Sequence, residues 1–278
     1  MDKTVPLVLL HGFAEDSSLW DRQKEYLKDK YRLIIPDLPG CGSAPLASNT
    51  DTSMEGLAAA VKARLDAENI QQCIMVGHSM GGYVTLAFAE LYPDMLKTFG
   101  LFHSTSYADT EEKKAARRKG IEFIQKNGAA SFIRQSTPNL FSERSRQEHP
   151  EWVSDLIQRY SSFNPDTLVR YYEAMIRRPD RSHVLKNFKG PVLFIIGAQD
   201  SAVPLTASLQ QCHIPSISRI HILQDAGHMG MIEDSDRADR ILESFTKDQE
   251  HLKGARPGPE VPTEEERVEA APTKANRH

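Results

Sequence analysis

The sequence is poor in cysteine and contains no long apolar run. Its 278 residues include only three cysteines, and this odd, scattered set fits neither a disulfide framework nor a metal-binding spacing. Nowhere do about 18 uncharged apolar residues follow one another, so we expect no transmembrane helix. The formal net charge of −4 gives no electrostatic reason to expect nucleic acid or an anionic membrane as a partner.

The N-terminal segment also lacks the pattern of a secretion signal. No basic segment is followed by an apolar stretch and a small-residue cleavage site, so we expect a cytoplasmic location. A hydrophobic content of 40% and a charged content of 26% are ordinary for a soluble globular protein. The length suits one large domain, or a core domain with an insertion.

Short apolar runs alternate with helical patterns along most of the chain. The runs are continuous rather than alternating in polarity, which is typical of parallel strands covered on both faces. Helical segments between them predict an α/β sheet with right-handed crossovers. The predicted strands are residues 7–10, 33–35, 73–76, 98–102, 192–196 and 220–223. The predicted helices are residues 53–68, 80–91, 204–212 and 232–249.

One interval breaks this alternation. Between residues 104 and 187 only amphipathic helical stretches occur, at 111–127, 129–135, 151–163 and 165–177. We interpret this block as a helical cap, inserted before the strand at 192–196 into a core made of residues 1–103 and 188–251. Residues 252–278 are rich in proline and glutamate and have few bulky apolar residues, which predicts a disordered tail.

Basic residues cluster in the first predicted helix of this cap. Lys113 and Lys114 are followed closely by the run at 117–119, Arg-Arg-Lys. Such a cluster could bind an anion. Because Glu111 and Glu112 lie beside it, we interpret it as a solvated helix face.

The segment 77–82, Gly-His-Ser-Met-Gly-Gly, connects a predicted strand to a predicted helix. A sharp turn around Ser79 in this setting is typical of a nucleophile elbow. So tight a turn brings neighbouring chain very close, and side chains at positions 77 and 81 would collide. A Gly-x-Ser-x-Gly string alone would arise by chance about one time in ten in a chain this long. The prediction of a nucleophile elbow therefore rests on the position of this segment between a strand and a helix.

A serine nucleophile needs a base and a carboxylate that orients the base. Asp200 follows the apolar run 192–196, and His228 follows the run 220–223, so both should lie at the carboxyl edge of the sheet. Either residue alone could be an ordinary loop residue, and Asp225 is a competing carboxylate that we assign to the turn. The order Ser79, Asp200, His228 is the order used by sheets of this type with an elbow serine.

The remaining site candidates are backbone donors and two histidines. The N–H groups of Phe13, after the first strand, and of Met80, after the serine, are placed to form an oxyanion hole. His78 and His103 are candidates for lining the pocket, although a structural role suits His103 equally well. We expect His11 to brace its loop, without a part in proton transfer.

Together these motifs resemble the α/β-hydrolase fold superfamily, in its serine-nucleophile, cap-bearing branch. The resemblance covers about residues 5–250 and rests on His11-Gly12-Phe13, on the Asp37-Leu38-Pro39-Gly40-Cys41-Gly42 loop, on the elbow, on Gly197-Ala198-Gln199-Asp200 and on Gly227-His228. It implies a catalytic triad of Ser79, Asp200 and His228. A serine nucleophile, in place of aspartate, argues against haloalkane dehalogenase and epoxide hydrolase activity.

The predicted function is hydrolysis of a small-molecule carboxylic ester or a related acyl substrate through an acyl-enzyme. A carbon–carbon bond hydrolase or a lyase on the same triad is the alternative, and a hydrolase-fold ligand receptor is a third possibility. The expected partners are a small-molecule substrate and water. No metal and no organic cofactor are implied.

Overall fold

A six-stranded sheet forms the centre of the computed structural model, which describes residues 5–251. The strand order is β2-β1-β3-β4-β5-β6, and each neighbouring pair is parallel. All six predicted strands are therefore present, with ends that differ by up to two residues. The strands are β1 (Leu7–Leu10), β2 (Leu33–Ile34), β3 (Cys73–His78), β4 (Leu96–Phe102), β5 (Val192–Gly197) and β6 (Ser218–Leu223).

Helices flank this sheet and fill the interval between β4 and β5. Those of the core are α1 (Asp21–Leu27), α2 (Met54–Ala67), α3 (Met80–Leu91), α9 (Leu205–Gln211), α10 (Gly230–Glu233) and α11 (Ser235–His251). Those between β4 and β5 are α4 (Glu111–Ser136), α5 (Glu143–Glu148), α6 (Pro150–Tyr160), α7 (Pro165–Arg177) and α8 (Ser182–Asn187). We call residues 104–187 the helical insertion.

The buried side chains of β1 show how the sheet is covered on both faces. Val8 and Leu10 belong to the apolar cluster beneath α2 and α3, whereas Leu7 and Leu9 belong to the cluster on the α1 and α11 side. This division follows from the two-residue period of a strand, whose successive side chains point to opposite faces. Both faces are apolar, which explains the continuous hydrophobic runs in the sequence.

Two of the longer helices of the insertion begin with side-chain caps. The Thr110 side chain accepts a hydrogen bond at the start of α4, and Asn164 Oδ1 accepts one from the Asp166 N–H at 2.8 Å at the start of α7. α4 covers two predicted helices, because the chain continues through a kink at Gly128, where φ is 81°. Among the described residues no helix is long and apolar enough to cross a membrane. The predicted tail, 252–278, lies outside the described residues.

Candidate active site

The sequence-predicted site residues lie at one edge of the sheet. Because every described strand pair is parallel, the carboxyl ends of β1, β3, β5 and β6 share this edge. Phe13 follows β1, Ser79 follows β3, Asp200 follows β5 and His228 follows β6. The edge where the strands of an open α/β sheet end is where such folds bind their ligands.

Ser79 forms the turn between β3 and α3 in a strained conformation. Its φ is 49° and its ψ is −114°, a region that non-glycine residues seldom adopt. The surrounding chain holds it there: the Ser79 N–H donates to Phe102 O at 2.9 Å, and Ser79 O accepts from Ser104 Oγ at 2.7 Å. Ser79 is partly exposed, whereas its neighbours in the chain are buried. The turn therefore presents the hydroxyl at the surface of the site.

The two glycines of this turn are required by close contact between backbones. A Cβ atom at Gly77 would lie 2.1 Å from Gly81 O, and one at Gly81 would lie 2.5 Å from His11 O. Real Cβ atoms do not approach backbone oxygens so closely. The steric reason given from the sequence for glycine at both positions therefore holds.

Asp200 and His228 form a buried pair. His228 Nδ1 lies 2.8 Å from Asp200 Oδ2, and both side chains are almost fully buried. The other oxygen, Asp200 Oδ1, accepts the N–H groups of Ala202 and Val203 at 2.8 and 2.9 Å. Burial raises the pKa of Asp200, but the charge and hydrogen bonding of His228 outweigh it and hold this pKa well below its usual range. The carboxylate is therefore ionised and accepts a hydrogen bond from His228 Nδ1.

Asp225, the competing carboxylate, is not bound to His228. Its side chain is 69% exposed and faces Arg144 Nη1 at 3.5 Å. Asp200, and not Asp225, is therefore the carboxylate that contacts His228, which agrees with the assignment of Asp225 to the turn.

Backbone contacts join the His228 loop to the helical insertion. The His228 N–H donates to Leu140 O at 2.7 Å, and Glu233 accepts from Gly227, Met229 and Ser142 N–H groups. A Cβ atom at Gly227 would lie 2.7 Å from Ser142 N. Glycine is therefore needed at 227 because the insertion packs against it, and the position of His228 depends on the insertion.

A cavity of about 840 Å³ lies between the sheet edge and the helical insertion. Ser79 and His228 both line it, and its size is within the usual range of small-molecule sites, ~300–1,000 Å³. Part of its wall is an aromatic cluster: the Phe13 ring stacks on Tyr172 with centroids 4.2 Å apart, and Phe132 meets Phe13 edge-on at 6.1 Å. The cavity therefore offers apolar surface beside a serine hydroxyl and an imidazole.

The loop after β1 is braced as expected. His11 is fully buried, donates from Nδ1 to Gly12 O at 2.9 Å and accepts the Leu38 N–H at Nε2 at 3.0 Å. Burial lowers its pKa, which agrees with a neutral ring that bonds at both nitrogens. Within the described residues the Phe13 N–H has no hydrogen-bond partner, so this donor is available beside the cavity.

His78 does not line the pocket, which differs from the sequence prediction. Its ring is fully buried and lies behind the cavity wall, where Nδ1 contacts Glu15 Oε2 at 2.9 Å and Nε2 donates to His228 O at 3.0 Å. Glu15 Oε2 also accepts the Gly12 N–H at 2.6 Å. The Glu15–His78 pair thus connects the loop after β1, the end of β3 and the His228 loop. Nothing in the local sequence pattern had indicated Glu15.

His103 also differs from its pocket-lining assignment. It is buried behind the pair of Asp200 and His228, in a backbone conformation with φ of 49°, and its Nδ1 accepts the Gly197 N–H at 2.9 Å. Burial lowers the pKa of His103 to about 4, so the ring is neutral at physiological pH. Its role is structural, because it ties the end of β4 to the end of β5.

The buried Glu15–His78 pair predicts a pH-dependent contribution to stability. Burial raises the pKa of Glu15, but the charge of His78 lowers it below its unfolded value of 4.5; conversely, Glu15 outweighs burial and raises the pKa of His78 above 6.5. The Glu15 contribution is present above pH 4.5 and is lost as the pH falls. The His78 contribution is complete below pH 6.5 and is lost as the pH rises through the raised pKa.

We therefore expect Glu15→Gln to lower the free energy of unfolding by about 1–3 kcal/mol, with the largest loss between pH 4.5 and 6.5. Urea unfolding of both proteins from pH 4 to 9 measures this difference, and Glu122→Gln, on the exposed side of α4, is the control. A difference that stays constant over the whole range would contradict the ion pair.

The interpretation of the basic run as a solvated helix face is wrong for two of its members. Lys113 and Arg117 lie four residues apart, hence on one face of α4, and both line the cavity. Arg117 Nε lies 2.6 Å from Asp109 Oδ2. The four-residue spacing was visible in the sequence, but which face of α4 is covered depends on packing against α7.

The comparisons with known proteins agree with this architecture. A model of the alpha/beta hydrolase fold matches residues 5–235. A thermophilic esterase from Thermogutta terrifontis superposes with a TM-score of 0.83 at 28% identity, over 88% of this chain and 90% of that one.

Curated hydrolases also align over most of the chain. The pimeloyl-acyl-carrier-protein methyl ester esterase of Aeromonas hydrophila subsp. hydrophila is 27% identical over 86% of this chain and 94% of that protein. Lipase 1 of Psychrobacter immobilis is 26% identical over 86% of this chain and 76% of that protein. These three relatives are a lipase and two esterases, and the family model covers the parallel sheet and the residues that follow its strands. The chain belongs to the α/β-hydrolase fold family.

Proposed function

We propose that this protein is a serine hydrolase that cleaves small-molecule carboxylic esters by way of an acyl-enzyme on Ser79. The observation that carries the proposal is the buried Asp200–His228 pair, 2.8 Å apart, because its His228 lines the same cavity as the partly exposed Ser79. Similarity to an esterase from Thermogutta terrifontis supports the reaction class.

The proposed reaction has two halves. Ser79 Oγ attacks the ester carbonyl carbon while its proton passes to His228 Nε2, and this proton leaves with the alcohol. Water then attacks the acyl-enzyme, gives its proton to the same nitrogen, and the acid is released as Ser79 regains its hydrogen. Asp200 stabilises the imidazolium that forms in each half. The Phe13 and Met80 N–H groups are the proposed donors to the oxyanion.

We further propose that the helical insertion is a cap that sets substrate choice. It supplies Phe132, Leu156 and Tyr172 to the wall of the cavity. It also contacts the base directly, through the bond from the His228 N–H to Leu140 O. A displacement of the cap would therefore change both the shape of the cavity and the position of His228.

A substrate panel tests this function. We expect the purified protein to hydrolyse 4-nitrophenyl esters of short to medium acyl chains with saturation kinetics, and to leave vinylogous diketones intact. The Ser79→Ala variant is the control for non-enzymatic hydrolysis. Cleavage of the diketones without ester hydrolysis would overturn the proposal in favour of a carbon–carbon bond hydrolase. Ligand-induced thermal stabilisation without any product would favour a receptor.

A further inference from the structure

Two guanidinium groups and a single carboxylate form a cluster in the wall of the cavity. Arg117 Nε lies 2.6 Å from Asp109 Oδ2, and Arg178 Nη1 lies 2.9 Å from Asp109 Oδ1. The side chains are 13%, 3% and 0% exposed for Arg117, Arg178 and Asp109 respectively. All three residues line the same cavity as Ser79.

This cluster carries one positive charge more than Asp109 can balance. The charges of two other members of the cavity wall, Lys113 and Glu112, cancel each other, and Lys113 Nζ already donates to Ala202 O at 2.8 Å. Glu15 is engaged by His78 at 2.9 Å. Burial of an unbalanced charge is costly unless a counter-charge is supplied. Of the other carboxylates in the described wall, Glu112 is exposed and Glu15 is engaged by His78, and neither contacts the two arginines, so a bound anion would supply the counter-charge inside the cavity.

The cluster lies close to the nucleophile. Tyr83 lies in the first turn of α3, which begins directly after Ser79, and both residues line the cavity. The Arg178 guanidinium carbon lies 3.8 Å from the centroid of the Tyr83 ring. Arg117 lies 5.5 Å from the Tyr172 ring, which stacks on Phe13 beside the proposed oxyanion hole. An acyl chain bound to Ser79 can therefore reach the cations.

Backbone contacts hold Arg178 in place before any ligand arrives. Arg178 Nη1 donates to Met175 O at 3.0 Å and Nη2 donates to Tyr107 O at 2.9 Å. Because Met175 O and Asp109 Oδ1 engage Nη1, a planar carboxylate would be bound through Nε and the remaining Nη2 hydrogen, which can donate in parallel. A guanidinium that is already ordered also loses little side-chain entropy on binding.

We propose that the substrates of this cavity are esters whose acyl part ends in a second carboxylate, that is, half-esters of dicarboxylic acids, and that Arg117 and Arg178 bind this carboxylate. The inference deepens the proposed function and rests on it. The neutral part of the acyl chain then lies against the aromatic wall, and the ester carbonyl reaches Ser79.

The test compares an acid with its neutral counterpart. We expect kcat/KM for mono(4-nitrophenyl) adipate to exceed that for the same compound with its free carboxylate methylated by about 10- to 100-fold, after subtraction of the uncatalysed rates. Most of the difference should lie in KM, because the carboxylate is remote from the reacting carbon. A ratio near one in the unmodified protein would overturn the inference while leaving the proposed function intact.

Variants identify the side chains that produce the preference for the acid. Arg117→Gln and Arg178→Met should each lower the preference for the acid by about tenfold or more. Arg118→Gln is the matched control, since Arg118 is the next residue on α4 and is exposed. Arg117 is the less buried of the pair, so its variant is informative even if Arg178→Met does not fold. A preference that survives in Arg117→Gln and in folded Arg178→Met, or that falls equally in Arg118→Gln, would overturn the assignment.

A binding measurement separates the two proposals. If the protein hydrolyses no ester, the proposed function fails. Calorimetric titration with adipate then measures anion binding to the cluster independently of turnover. Binding of adipate that is weakened about tenfold or more in Arg117→Gln and unchanged in Arg118→Gln would support the site. Absence of adipate binding to the unmodified protein would overturn it.

Discussion

Replacement of Ser79 by alanine is expected to lower kcat for ester hydrolysis by at least about 10⁴-fold. The variant lacks the oxygen on which we propose that the acyl-enzyme forms, while the hydrogen bonds that hold the turn involve the backbone of residue 79 and remain. Thermal unfolding should therefore be little changed. Steady-state hydrolysis of a 4-nitrophenyl ester measures the loss, and Ser131→Ala, at an exposed position on α4, is the matched control. A loss below about tenfold in a folded Ser79→Ala protein would exclude Ser79 as the nucleophile.

Replacement of Asp200 by asparagine is expected to lower kcat by about 10³- to 10⁴-fold. The carboxylate accepts the proton-bearing Nδ1 of His228, so its loss both removes a charge that stabilises the imidazolium and permits the unproductive tautomer. One amide oxygen can still accept the N–H groups of Ala202 and Val203, as Asp200 Oδ1 does, so the loop should keep its shape.

Asp225→Asn provides the matched control for this effect. Asp225 is three residues from His228 in the chain, but its side chain is exposed and faces Arg144. We expect kcat to change by no more than about twofold, in line with other surface substitutions away from the chemistry. If Asp225→Asn were the more damaging of the two variants, the assignment of the carboxylate would be wrong.

The sheet and the approximate positions of the site residues could be predicted from the sequence, because both follow from local patterns. Runs such as 192–196 are apolar throughout since both faces of each strand are covered, as Leu7 and Val8 in β1 illustrate. Parallel strands bring their carboxyl ends to one edge, so residues that directly follow the runs come together without any further information. Asp200 and His228 are the clearest instance, since they are in hydrogen-bond contact.

The connections behind the site could not be predicted, because they join residues that are far apart in the chain. Glu15 and His78 are separated by 63 positions, and His78 and the carbonyl of His228 by 150. No periodicity relates such positions. The same holds for Arg178, which meets Asp109 only because α7 packs along α4. The pocket-lining assignment of His78 and His103 is wrong because residues at the ends of strands also form the buried layer beneath the cavity.

The short helices are a second part of the fold that could not be predicted from the sequence. α1, α5 and α8 contain seven, six and six residues, too few to show a convincing apolar period. Their formation depends on packing rather than on intrinsic preference, as expected for helices below about 12 residues. By contrast, α3 and α7 match their predicted bounds, since α3 follows the elbow directly and α7 begins with the Asn164 cap.

The most direct test of the central claim is the site of covalent labelling by a fluorophosphonate. Treatment of the purified protein, followed by proteolysis and mass spectrometry, should place one adduct on the peptide that contains Ser79, and the Ser79→Ala variant should take up no label. A variant that is labelled as strongly as the unmodified protein, or an adduct on a different residue, would contradict the account.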